Sequence, residues 1–226
     1  MIKPKIVFID WHNTLCDYKF FWHLEKSKRK TEIDLFNRIT NCLFIENTSV
    51  SRIPDWLRGK YTTEQILKDV SDDIGADFNI ILNEFIKSCK TMKLVSPNIL
   101  SIITKLKKQG IKFYLATDNM DSFERWVVPE LILDKTFDGI LNSYNLGALK
   151  MDMDEHGNSM FFTKILELEN IEPFETILFD DSEDKDGRLT KYGINYVRID
   201  KENNLESNLL KLPSEGYDNC SDGHED

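Results

Sequence analysis

The polar and apolar positions of this chain change rhythm twice. Residues 6–9, Ile-Val-Phe-Ile, form an unbroken apolar run that Asp10 ends. Such short continuous runs suit strands buried on both faces of a sheet. From there to about residue 95, apolar residues recur at helical spacing, as with Leu24, Ile33, Phe36, Ile39 and Leu43 over 19–45. A second helical run passes through Val70, with Thr62 or Thr63 as its N-cap, and a third spans 78–89 with Ile81, Leu82, Phe85 and Ile86 as its stripe. After residue 96 the pattern alternates: helix 97–109, strand 111–116, helix 122–133, strand 139–142, helix 160–169, strand 176–179, helix 184–192 and strand 194–199. Strands separated by helices imply right-handed crossovers and an α/β fold, a parallel sheet with helices on both faces. Residues 201–226 lose periodicity and gather Asn, Ser, Gly and acids. Beyond one short turn near 205–210 they read as a disordered acidic tail.

A chain of 226 residues fits one domain carrying a sizeable insertion. Its net charge of -10 argues against a nucleic-acid partner. It leaves room for a small phosphorylated ligand, because a bound cation and a local lysine outweigh the global field. Cys16, Cys42, Cys89 and Cys220 are scattered with no CxxC pair, as for free thiols in a reducing cytoplasm. The Met-Ile-Lys-Pro-Lys start is too short and charged for a signal peptide, and no apolar run approaches the ~18 residues of a membrane span. A cytoplasmic protein away from membranes is expected.

In an open parallel sheet, ligands collect at the carboxyl ends of the strands. Here those ends are chemically rich. Asp10 is followed by Trp11-His12-Asn13-Thr14; Thr117-Asp118-Asn119 ends the strand at 111–116; Asp180-Asp181 ends the strand at 176–179; and Lys150 follows the short strand at 139–142. An acid in such a place can be a nucleophile or a metal ligand. It can equally start a turn or cap a helix.

Taken in order, these four segments resemble motifs I to IV of the haloacid dehalogenase-like (HAD) superfamily. Motif I is an apolar strand followed by DxDxT; Asp10 and Thr14 match it, and His12 stands where most phosphatases of the family carry a second Asp. The resemblance implies a Rossmann-like core over residues 1–17 and 96–200, with a helical cap of the small C1 type over 18–95. It implies that Asp10 attacks phosphorus and becomes an aspartyl-phosphate. Mg²⁺ would be held by Asp10, Asp181 and the backbone carbonyl of His12, with Asp180 and Asp186 behind those ligands. Thr117 and Lys150 would hold the phosphoryl oxygens, and Asp118 and Asn119 would join them in binding substrate. Imidazole can both protonate a leaving alcohol and activate water, with an ordinary pKa of roughly 6.5, so His12 takes the acid/base role. The activity implied is Mg²⁺-dependent hydrolysis of a small phosphomonoester, a phosphorylated metabolite or nucleotide. Two other readings stand beside it. Trp11 after the nucleophile resembles the family's carbon–phosphorus hydrolases, and carbon–halogen hydrolysis uses the same Asp. A catalytically weak ligand-binding or regulatory protein is the third reading, kept open by His12.

Overall fold

Five parallel strands form one sheet in the computed structural model of the chain, which describes residues 3–44 and 52–213. The strands β1 (Ile6–Ile9), β2 (Lys112–Thr117), β3 (Gly139–Asn142), β4 (Thr176–Asp180) and β5 (Asn195–Arg198) lie in the order β3-β2-β1-β4-β5. The chain winds to one side of β1 and then to the other, so the reversal leaves a crevice at the carboxyl end of β1. Ile9 pairs with Leu115 of β2 and with Phe179 of β4. That register brings Asp10 level with Asp180 and leaves Thr117 one residue further along. This is a Rossmann-like α/β sheet.

The unbroken apolar runs follow from the sheet having two covered faces. Val7, Ile9, Phe113, Leu115, Ile177 and Phe179 join one apolar cluster, while Ile6, Phe8, Tyr114, Ala116 and Leu178 join another. Alternate strand residues point to opposite faces, so every position must be apolar. The first cluster does not stop at the sheet. It runs on through Leu24, Ile39, Trp56, Ile66 and Phe85, which belong to the helices inserted between β1 and β2.

Those helices are α1 (Trp22–Glu25), α2 (Lys30–Phe44), α3 (Ile53–Leu57), α4 (Thr63–Ile74) and α5 (Phe78–Lys90). The single helical run expected over 19–45 is two helices: α1 starts after Phe21, which sits at φ 59°, and residues 26–29 separate it from α2. The helix α3, which opens with Pro54, carried no sequence expectation. Thr62 rather than Thr63 caps α4: its hydroxyl accepts the Gln65 N–H at 3.3 Å, and the Gln65 side chain accepts the Thr62 N–H at 2.8 Å. That reciprocal box satisfies two otherwise orphaned donors. The helix runs past Val70 to Ile74 and ends at Gly75, φ 59°.

Beyond the insertion lie α6 (Ile99–Lys107), a π-helical turn (Phe123–Val127), α7 (Val128–Leu131), α8 (Leu133–Thr136), α9 (Ser143–Leu146), α10 (Thr163–Glu169), α11 (Arg188–Tyr192) and α12 (Leu205–Leu210). The helix expected over 122–133 is thus broken. Pro129 has no N–H for the Arg125 carbonyl and crowds it, which favours the wider turn before it. The short turn expected near 205–210 is α12, and Leu205, Leu209 and Leu212 are buried. Asn98 ties the same segment down through Glu206 at 3.2 Å. The reading of disorder from residue 201 therefore does not hold up to residue 213, and residues 214–226 of that tail lie outside the described residues. Among the described residues, no helix is long and apolar enough to cross a membrane.

Candidate active site

Asp10 leaves β1 with its N–H still donated to the Phe179 carbonyl at 2.9 Å, so the sheet itself fixes where its carboxylate begins. One oxygen from each of Asp10, Asp180 and Asp181 lies within 4.8 Å of the other two. The Lys150 ammonium reaches into this group, 2.7 Å from Asp10 Oδ1 and bonded also to Asp180 Oδ2. Lys150 is held from behind, its N–H donating to Asp118 Oδ1 at 3.0 Å. Asp180 Oδ1 accepts the Ser182 N–H at 2.9 Å. Asn13 donates its side-chain amide to Asp181 Oδ2 at 2.9 Å. It sits at φ 56°, a conformation that Asn tolerates better than most residues.

The charges do not balance. Burial pushes the Asp10 carboxyl well above its ordinary pKa, against the pull of Lys150, and Asp180 and Asp181 push it further up. Burial alone would lower Lys150, but the carboxylates of Asp10, Asp180 and Asp118 more than offset that and raise it. Lys150 is therefore a permanent ammonium. Burial also raises Asp118, with Lys150 opposing. Three crowded carboxylates facing one ammonium are a donor set of hard oxygens with surplus negative charge, which fits a divalent cation such as Mg²⁺. Four residues past Asp10, the Thr14 hydroxyl is buried and has no hydrogen-bond partner among the described residues.

The other expected residues are placed as follows. Thr117 is buried at the end of β2, and Asn119 Nδ2 lies 3.4 Å from its hydroxyl. Asn119 is tied to the start of α9 by Ser143 Oγ, which accepts its N–H at 3.0 Å and donates to its carbonyl at 3.2 Å. His12 is half-buried, with its ring parallel to Phe20 at 6.4 Å between centroids. Burial lowers its pKa, Asp181 pulls it back up, and Lys19 pushes it down again. Asp180 was expected behind the metal ligands; it stands beside Asp10 and Asp181 and bonds Lys150 directly. Asp186 is exposed at φ 60°, its carboxylate 3.6 Å from Arg188. Neighbouring Asp184 caps α11, accepting the N–H groups of Leu189 and Thr190, both at 3.0 Å.

Several residues here escaped the sequence. Arg58, just after α3, makes a two-pronged pair with Asp152: Nε to Oδ2 at 2.9 Å and Nη2 to Oδ1 at 2.8 Å. Asp152 Oδ2 also accepts the Leu149 N–H at 2.9 Å, so the insertion grips the loop that presents Lys150. Asp121 accepts Trp56 Nε1 at 3.3 Å, the Thr63 N–H at 3.0 Å and the Thr63 hydroxyl at 2.6 Å, and pairs with Arg125 at 2.7 Å. No local pattern announces either contact. A cleft of about 460 Å³ opens beside His12 between core and insertion. Another, of about 330 Å³, includes Lys150, Asp180 and Asp186. A larger hollow of about 710 Å³ between α10 and α11 contains none of these side chains.

Known proteins share the fold of this chain. The haloacid dehalogenase-like hydrolase family matches residues 4–188. No curated protein matches the chain. A HAD family enzyme from Bacteroides thetaiotaomicron, solved in complex with magnesium and inorganic phosphate, is 17% identical with a TM-score of 0.63, over 90% of this chain and 98% of that one. The L-2-haloacid dehalogenase from Xanthobacter autotrophicus is 13% identical with a TM-score of 0.59, over 88% of this chain and 80% of that one. At these identities the likeness is one of fold.

Proposed function

This chain belongs to the haloacid dehalogenase-like hydrolase family, and on that premise we propose that it is a Mg²⁺-dependent phosphatase of small phosphomonoesters, of the C1-capped kind. The observation that carries the reading is the convergence of Asp10, Asp180 and Asp181 on one point with Lys150 among them. Asp10 attacks phosphorus in line, and the bond to the alcohol oxygen breaks as the Asp10–phosphorus bond forms. The Lys150 ammonium and the Thr117 hydroxyl hold phosphoryl oxygens through that change. Asp10, Asp181 and the His12 carbonyl would hold Mg²⁺, which when bound would supply positive charge to offset that of the anionic ester and nucleophile. His12 gives a proton to the departing alkoxide. It then takes one from the water that attacks the aspartyl-phosphate, releasing phosphate and restoring Asp10. Its lowered pKa suits the second duty.

Carbon–halogen hydrolysis on the same Asp10 is the rival, supported by the apolar side of the cleft beside His12. Crowding two further carboxylates against Asp10 is a cost that such a reaction does not need. Phosphate release from a panel of esters, and halide release from 2-haloacids, should be measured with Mg²⁺ and with EDTA. Mg²⁺-dependent phosphate release that vanishes in a folded Asp10→Asn variant is expected. Halide release that ignores EDTA, with every ester inert, would overturn the proposal.

A further inference from the structure

The cleft of about 460 Å³ beside His12 has two unlike walls. The wall from the core is mostly polar, formed by His12, Asn13, Asp118 and Asn119 with Met120. The wall from the inserted helices carries Phe20, Phe36, Phe44, Ile53 and Leu57. Two polar side chains interrupt it, Lys19 and Thr40. The Thr40 hydroxyl is already engaged, donating to the Phe36 carbonyl of its own helix at 2.8 Å. Among the described residues on that wall, exposed Lys19 can donate to a polar ligand and the Thr40 oxygen can still accept, and the other side chains are apolar.

In an in-line displacement the leaving oxygen lies opposite the attacking one. The body of the alcohol therefore extends away from Asp10, towards the acid that protonates its oxygen. His12 borders this cleft, which puts it where the alcohol body would extend. A sugar or nucleoside would press several hydroxyls against Phe36, Ile53 and Leu57, none of which can accept or donate a hydrogen bond. Each hydroxyl dehydrated without a partner is penalised. A hydrocarbon ring meets no such penalty and gains by leaving water. Phe20, Phe36 and Phe44 bring aromatic rings to the lining, and aromatic pairs add to burial when offset or edge-on. The volume lies within the usual range for small-ligand sites, about 300–1,000 Å³.

We propose that this cleft receives the leaving group, and that the substrate is the phosphate monoester of an alcohol with an aromatic body rather than of a sugar or nucleoside. The inference rests on the phosphatase reading, and its test separates the two. The full chain with Mg²⁺ should be assayed on 2-phenylethyl phosphate, glycerol 3-phosphate, glucose 6-phosphate and AMP, all esters of primary alcohols with similar intrinsic reactivity. The aromatic ester should be preferred in kcat/KM by about 10–200-fold, the range that hydrophobic contacts provide. Phe36→Ser should shrink that ratio by about tenfold, the worth of one such contact. Binding of 2-phenylethylphosphonate against methylphosphonate, neither of which this chemistry cleaves, gives the same comparison in wild type without turnover or mutation. Tighter binding of the aromatic phosphonate by at least about tenfold is expected. If esters are hydrolysed with no aromatic preference, the inference falls and the phosphatase stands. If no ester is hydrolysed but the phosphonate preference holds, the phosphatase reading falls and aromatic recognition by the cleft stands. Absence of both overturns both.

Discussion

Replacing Lys150 by Met keeps a chain of similar length and removes only the charge that neutralises the site. Lys150 pairs at 2.7 Å with Asp10 and also with Asp180, and the three side chains are 6%, 7% and 0% exposed. The variant leaves two buried carboxylates facing each other, with Asp181 beside them. Removing one partner of a buried pair costs ~3–5 kcal/mol. That is a large part of the ~5–15 kcal/mol that keeps a domain folded. At ~2–4 °C per kcal/mol for a domain of this size, the melting temperature falls by ~6–20 °C. The deficit should depend on pH with a definite sign. Burial already raises Asp10 above its unfolded value, and losing Lys150 raises it further. A group whose folded pKa is raised favours the native state at low pH and opposes it as pH rises through that pKa. The deficit should therefore be larger at pH 8 than at pH 5. Urea denaturation of wild type and variant in EDTA at both pH values measures this, with Mg²⁺ added afterwards to restore stability by binding Asp10 and Asp181. Adding Asp180→Asn to the variant should recover much of the loss. A deficit below ~1 kcal/mol at pH 8, or one that grows on acidification, would refute the charge argument.

Three further predictions follow from other parts of the molecule. His12→Ala should lower kcat by ~10²–10⁴-fold while His12→Asp keeps much of the activity; equal rates for wild type and the Ala variant would remove His12 from proton transfer. Burial raises Asp152, but Arg58 and the Leu149 N–H together hold it below its ordinary value. The link it makes is therefore present above the unfolded pKa and lost as pH falls through the folded one. Melting temperatures of wild type and Asp152→Asn should differ at pH 7 and converge below about pH 4; a gap that persists in acid contradicts the ion pair. Leu209 of α12 is fully buried, so Leu209→Ala should cost ~2–5 kcal/mol in a denaturation curve; a loss near zero would mean that α12 does not dock.

What the sequence settled by itself was whatever neighbours along the chain encode. Ile6 to Ile9 had to be a strand covered on both faces, because no exposed position interrupts the run. Asp10, Thr117 and Asp180 had to share one edge, because parallel strands all end on the same side. Thr62 and Gln65 wrote their own helix start within four residues. Packing decided the rest. Asp180 closes β4 and Asp181 follows just beyond it, yet both carboxylates reach the same point. Which of them meets Lys150 depended on the register of β4 against β1. The left-handed Phe21 has no local signature, since only tertiary contacts hold such a residue at positive φ. Arg58 and Asp152 are 94 residues apart, and Asn13 and Asp181 are 168 apart. At such separations the local pattern of polar and apolar residues carries no information, and only a filled core brings the partners together. The aromatic wall beside His12 is of the same kind. Its residues were legible one by one as helix faces, but the cleft exists only where the inserted helices settle against the sheet.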